Sequence, residues 1–504
     1  MVGMVDGRSS WFSPALGGLP SDAALLPYWL GAAFIKLLGP WLGAPLAARL
    51  PFALLLVLVL VLTWYSTFHL ARTDAAQPLP FAFGGEANPM DYARAIADGA
   101  LLALIATLGL LQLGHETTPE LAQLASVSLY LYGLSAVPMR GIEPRLAVLF
   151  ALPALAASGA PAVAITLGIV GTLICWRSDQ PTGRDFLPWA IASTVVAAGA
   201  ASLIGAWGWR LGAYSSAAQI IATLKLLVWF PWPAWPLALW TIWRWRHHLL
   251  HRHLAVPLGC AMVSLAACIA MGGSDRALML TLPPLAVLAS FALPTLQRST
   301  SAAIDWFSVF FFSVCSISMW VIYLSLQTGI PPTPAANVGR RLSGYTSSFS
   351  IIALLIAGLG TLAWIWLVRW RAGRHRNPLW KSLVLPAGGV ALCWLLLTTL
   401  WLPMMDYARS YRPLIDRIAR HVPKNECVNG WALPRGQIAA LESLGGYQVD
   451  AINAPPLSRC DYLLRIEPTS NPRTSIEGWS LVAREQRPSD KDELTAIYRR
   501  NPTR

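Results

Sequence analysis

Runs of about 20 apolar residues, nearly free of charge, recur along this chain from Leu46 to Leu402. That pattern restricts the chain to membrane-crossing helices, because only closed backbone hydrogen bonding is tolerated in hydrocarbon. Only 12% of the 504 residues are charged, mean hydropathy is +0.50, and a soluble domain carries about twice that charged share. The pattern predicts about twelve spans, near 47–71, 96–113, 120–138, 144–158, 161–176, 187–207, 224–243, 254–271, 277–295, 303–326, 347–369 and 381–403. The fold class is an all-α polytopic membrane protein with a small C-terminal extracytoplasmic α/β domain. Its parts are an external interfacial segment over 1–45, a transmembrane domain over 46–403 and the α/β domain over 404–504.

The segment from Trp11 to Leu50 is broken by Gly and Pro yet rich in aromatic residues. It reads as structure lying against a membrane face rather than as a spanning helix. Met1 to Pro20 has neither a basic start followed by an apolar core nor a small-residue cleavage site, so no cleavable signal peptide is expected. The net charge of +13 does not argue for nucleic acid, since a polytopic protein carries its basic excess in cytoplasmic loops. Arg140, Arg145, Arg177, Arg184, Arg244, Arg246, Arg252, Arg298, Arg369, Arg371, Arg374, Arg376 and Lys381 fall in alternate loops, which are therefore assigned to the cytoplasm. Both the N-terminal segment and the tail then face outward. The Trp-rich run Trp229–Trp245 fits one helix anchored at both interfaces.

The tail has mixed charge and short apolar runs. Val449–Ile452, Tyr462–Ile466 and Leu481–Ala483 have strand character, and Arg435–Leu444 has helical character ended by Gly445-Gly446. Cys427 and Cys460 lie in this tail and form a disulfide if it is outside the reducing cytosol. The other cysteines, Cys175, Cys260, Cys268, Cys315 and Cys393, sit in apolar runs as packing residues.

Ionisable groups near the outer face are the place to look for chemistry. His115-Glu116 at the end of the second run suits a base, a ligand or an orienting acid, and equally a polar helix end before a Thr117 or Thr118 cap. Asp22 is either a site carboxylate or the cap of a helix starting near Ala23. Arg210 and Arg276 suit a phosphate, or anchoring at the interface. The run His247, His248, His251, His253 has no Cys or carboxylate beside it, so it reads as a solvated loop with no metal site. No phosphate-binding glycine loop or dinucleotide fingerprint is present, which leaves no visible means of using ATP or a sugar nucleotide.

Gly17-Gly18-Leu19-Pro20, then Pro27-Tyr28-Trp29-Leu30, then Ala47-Ala48-Arg49-Leu50-Pro51 resemble the first external loop of GT-C glycosyltransferases. The kin are the lipid A aminoarabinose transferases and the dolichyl-phosphate-mannose–protein mannosyltransferase superfamily. Ser274-Asp275-Arg276 followed by Leu280–Leu285 resembles a later element of the same family. Ala23 and Ala24 stand where that family has a Lys, and Met279 where it has a Tyr. The resemblance implies transfer of a sugar from a polyprenyl-phosphate carrier to a lipid, glycan or protein acceptor, on the outer face of a bacterial inner membrane and with inversion. It also implies a further helix and an Asp-bearing loop ahead of Met1. On this reading Glu116, His115 and Asp22 are the catalytic candidates and Arg276 and Arg210 the phosphate-binding ones. The partners are the polyprenyl-phosphate-linked sugar donor and membrane lipids, with no cofactor assigned. The rival readings are an inactive relative or a polyprenyl-lipid transporter; the latter is disfavoured by span interiors nearly free of charge.

Overall fold

The Gly/Pro-broken N-terminal segment is ordered in two parts. Ala15–Leu16 (β1) and Leu19–Pro20 (β2) pair antiparallel, and Leu25–Leu42 is a helix. The hairpin turn is Gly17-Gly18, with φ of 58° and 80°; two consecutive positive φ values are what a two-residue hairpin turn requires. The helix Leu25–Leu42 is long and apolar enough to cross a membrane, which corrects the expectation that no spanning helix fits before Leu46. Pro27 lies in the first turn, where an N–H has no partner in any case, and Pro40 in the last turn, where it removes one hydrogen bond at the helix end.

The structure, a computed structural model, describes residues 1–21, 24–77, 88–138, 141–178, 181–208, 211–342, 344–372, 380–470, 476–490 and 492–501. They form two compact units: Met1–Arg8, Asp22–Ser313 and Leu362–Trp394 in one, Ser9–Ser21, Val314–Thr361 and Leu395–Arg504 in the other.

The first unit is helical. Its logic is plain in Ala44–Ala71, where Val59, Leu62, Thr63, Ser66, Thr67 and Leu70 form a buried stripe at helical spacing. Leu54, Val57, Leu58 and Val61 are exposed on other faces of the same helix. A helix apolar all round has lipid, not water, as its outer solvent. Its Ser and Thr hydroxyls bond back within the helix, Thr63 Oγ1 to the Val59 carbonyl at 2.7 Å and Ser66 Oγ to that of Leu62 at 2.6 Å, which satisfies those donors in an apolar setting. Pro119–Ala136 runs through the core, buried over most of its length.

Among the described residues eight helices are long and apolar enough to span, or up to nine if the bent pair described below is one span. The expected runs at 96–113, 120–138, 144–158 and 161–176 are not among them, while Leu25–Leu42 is added. The first is divided into Pro89–Ile105 and Leu108–Leu113, the second is diluted by polar residues, and Glu143–Ala157 and Pro161–Trp176 have 15 and 16 residues. The run at 224–243 is not one anchored helix. Ala217–Trp229 and Ala234–Arg244 meet at an 80° bend, because Pro231 and Pro233 remove two backbone donors at the junction. Nor are the apolar helices quite free of charge. Asp98 accepts from Trp64 Nε1 at 2.8 Å, and Asp305 pairs with Arg371.

In the second unit Cys427–Asn429 (β3), Gln448–Asp450 (β4), Tyr462–Pro468 (β5), Trp479–Glu485 (β6) and Glu493–Arg500 (β7) form one sheet in the order β4-β3-β5-β7-β6. β3 is parallel to both neighbours, and Arg435–Ser443 is the helix that crosses between β3 and β4. Leu414, Ile415, Ile418, Val428, Ile438, Leu441 and Leu464 make the core beneath it. Cys427 and Cys460 form a disulfide with Cα atoms 5.0 Å apart. The Gly17-Gly18 turn belongs to this unit: Gly17 N–H donates to Glu442 Oε1 at 2.9 Å, and its carbonyl accepts from Ala451 N–H at 2.9 Å. A Cβ on Gly17 would stand 2.8 Å from Ile438 Cγ2, so the residue is glycine for closeness as well as for φ.

Candidate functional site

Two connections of the helical unit meet at one place. One is Gly114–Thr118, between Leu108–Leu113 and Pro119–Ala136. The other is Gly272–Ser274, between Arg252–Ala270 and the short helix Asp275–Met279. Arg276 Nη2 lies 3.3 Å from Glu116 Oε2, and Arg276 Nη1 lies 3.2 Å from Glu120 Oε2. One guanidinium is shared by two carboxylates that stand 160 and 156 residues away in sequence.

Each side of this contact is held in place by its own backbone. Leu108 N–H donates to the Trp232 carbonyl at 3.1 Å and Gly109 N–H to that of Phe230 at 2.8 Å. The proline-broken helix thus places its freed carbonyls on the start of the helix that leads into Glu116. Gly109 is required there, since a Cβ would run into the Phe230 ring. On the other side, Gly272 and Gly273 take φ of 71° and 85° and turn the chain. The Ser274 side chain then accepts from Ala277 N–H at 3.3 Å, and Asp275 Oδ1 accepts from Arg276 N–H at 2.8 Å. Tyr214 OH donates to the Ile269 carbonyl at 3.0 Å, and Gly212 N–H to that of Ala270, which ties the loop before Ala217 to the same helix end.

Of the sequence-derived candidates, Glu116 and Arg276 are brought together. His115 turns elsewhere: its ring lies 4.5 Å from that of Trp394, tilted by 50°. Asp22 and Arg210 lie outside the described residues. Glu120 was not singled out by the sequence, although a second carboxylate four residues after Glu116 was a visible signal. The histidine run is not uniformly solvated. His253 is fully buried, with Trp245 and Phe291 rings at 5.0 and 5.3 Å, because it opens an apolar helix rather than ending a loop. Among the described residues no group of His, Cys, Asp or Glu is disposed to hold a metal ion. A separate cavity of about 410 Å³ is lined by Asp98, Leu101, Trp366, Trp370 and Trp380; its carboxylate is the one bonded by Trp64.

A guanidinium can hold an anionic group, and a carboxylate of intermediate exposure beside it can accept a proton. The Glu116 and Arg276 side chains are 34% and 44% exposed, so a ligand can reach both.

No family model matches this chain, and no curated protein does. Two solved structures do: ArnT from Cupriavidus metallidurans in the apo state, with a TM-score of 0.58, and the same protein bound to undecaprenyl phosphate, with a TM-score of 0.56. Each is 14% identical, over 98% of this chain and 91% of that one. The sequence resemblance and this likeness agree, and the chain has the fold of ArnT, a GT-C glycosyltransferase.

Proposed function

We propose that this chain is a membrane glycosyltransferase that takes a sugar from a polyprenyl-phosphate carrier on the outer face of a bacterial inner membrane. The observation that carries the reading is the contact of Arg276 with Glu116, an anion-binding group and a base brought together on a fold shared with a protein crystallised with undecaprenyl phosphate. In the reaction, Glu116 takes the proton of an acceptor hydroxyl. The oxygen's electron pair forms the bond to the anomeric carbon from the face opposite the leaving group. The sugar–phosphate C–O bond breaks with its pair going to the phosphate, whose charge Arg276 offsets. The anomeric centre inverts.

The outward orientation of the tail draws support from the Cys427–Cys460 disulfide, which persists in an oxidising compartment. The sugar is unassigned, and the acceptor is a hydroxyl of a lipid, glycan or protein.

The test is turnover. Membranes containing the full chain are given polyprenyl-phosphate-linked sugars, and free polyprenyl phosphate is followed by mass spectrometry. Wild type should release it from at least one donor, and Glu116→Gln should lower that release at least about a hundredfold, since general-base catalysis is worth about that much or more. Equal release by the two proteins would remove Glu116 from the mechanism.

A further inference from the structure

The Arg276 guanidinium is already engaged. Its two carboxylate partners differ in a way that sets what a phosphate must do on arrival. Glu120 is in the first turn of Pro119–Ala136, a long buried helix, and its side chain is 17% exposed. Glu116 is in the connection before that helix and its side chain is 34% exposed. Both contacts are single N···O pairs of 3.2–3.3 Å, one to each terminal nitrogen, so neither is the paired fork that makes Arg–carboxylate contacts strong. Two carboxylates thus stand on one cation. A phosphate entering that neighbourhood with every partner in place would meet more negative charge than positive.

We propose that the donor phosphate displaces Glu116 from Arg276 while Glu120 keeps its hold, so that donor binding itself frees the base. This deepens the function proposed above and rests on it. The exposed, loop-borne carboxylate is the exchangeable one; the helix-borne, less exposed one positions the guanidinium. Glu116 is therefore occupied by Arg276 while the site is empty and free to face the acceptor hydroxyl once the leaving group is seated. Glu120 is a positioning residue, acting through Arg276 and not on the substrate.

The signature is a pair of opposite signs from two like-charged residues on one arginine. If the carboxylates acted only as general negative charge, neutralising either would tighten phosphate binding. If one competes and the other positions, they part. The experiment titrates undecaprenyl phosphate into the full-length protein in detergent by calorimetry, with wild type, Glu116→Gln, Glu120→Gln, Arg276→Ala and the Arg276→Ala/Glu116→Gln double variant. Glu116→Gln should bind about two- to fivefold tighter, the scale of a partly exposed ion pair no longer in competition. Glu120→Gln should bind weaker by a similar factor. In the Arg276→Ala background Glu116→Gln should change nothing, because the competition is for that guanidinium. Kinetically, Glu116→Gln should lower KM for the donor and lower kcat together. Weaker or unchanged binding by Glu116→Gln, or tightening by both single variants, overturns the inference and leaves the phosphate role of Arg276 standing. Unchanged binding by Arg276→Ala instead overturns the function on which it rests.

Discussion

The disulfide gives a prediction that can be worked through in numbers. Cys427 heads β3 and Cys460 precedes β5, its parallel neighbour. The bond encloses a loop with a sequence separation of 33 that contains the Arg435–Ser443 helix and β4. In the chain-entropy model a loop of that length restricts the unfolded chain by about 12.5 cal/mol/K, or about 3.7 kcal/mol at 25 °C. That is a factor of about five hundred in the opening equilibrium. Cys427→Ala with Cys460→Ala removes the cross-link without placing a hydroxyl at Cys460, which is buried. Hydrogen exchange followed by mass spectrometry reads the result locally. Peptides covering 435–450 should lose up to a few hundredfold of protection in the double variant. Exchange within about threefold of wild type over those residues would show that the enclosed segment is held by its packing alone, and would refute the entropic argument.

Other outcomes test other parts of the account. Gly109→Ala places a methyl group in the Phe230 ring and should cost about 1–3 kcal/mol of overpacking, seen as a lower melting temperature together with weaker donor binding; an unchanged melt would mean that the corner yields freely. A C-terminal alkaline phosphatase fusion should be active and a green fluorescent protein fusion dark, since the tail is assigned to the outside; the reverse would invert the orientation. Burial first, and then the hydrogen bond to Glu467, push the Tyr498 hydroxyl up to about 12 from its usual 10. Because the folded form favours the neutral phenol, tail stability should be whole below pH 10 and fall between pH 10 and 12. Tyr498→Phe should flatten that part of the denaturation profile, and an equal slope in both proteins would exclude Tyr498 as its source.

The helical architecture was legible because hydrocarbon imposes length and apolarity on every span, and Ala44–Ala71 meets both demands. Leu25–Leu42 was hidden by Gly and Pro residues, most of which fall in a hairpin or near the two ends of the helix, leaving no proline between Pro27 and Pro40. The break at Pro231 and Pro233 was written in the sequence, but the apolar count over 224–243 outweighed two residues. In the tail, Tyr462–Pro468 and Arg435–Ser443 fell close to their expected ranges. β7 was missed because Thr495, Ala496, Ile497 and Tyr498 are buried on both faces of the strand, which erases the alternation that marks a half-buried one. At the site, residue type alone nominated Glu116 and Arg276. Their contact was not readable, since about 160 residues separate them and nothing local encodes that distance. The helix-end position that made His115 a candidate is the same one that lets its ring settle on Trp394.

The central claim is that Arg276 holds the lipid phosphate. It is tested most directly by the dissociation constant of undecaprenyl phosphate for wild type, Arg276→Ala and Arg298→Ala, the last removing an arginine assigned to the cytoplasmic side. A charge-assisted contact to phosphate is worth about 1.5–3 kcal/mol. Arg276→Ala should therefore bind about ten- to a hundredfold more weakly, with Arg298→Ala close to wild type. If Arg276→Ala binds the lipid as wild type does, or if Arg298→Ala loses as much, the phosphate is held elsewhere and the account fails.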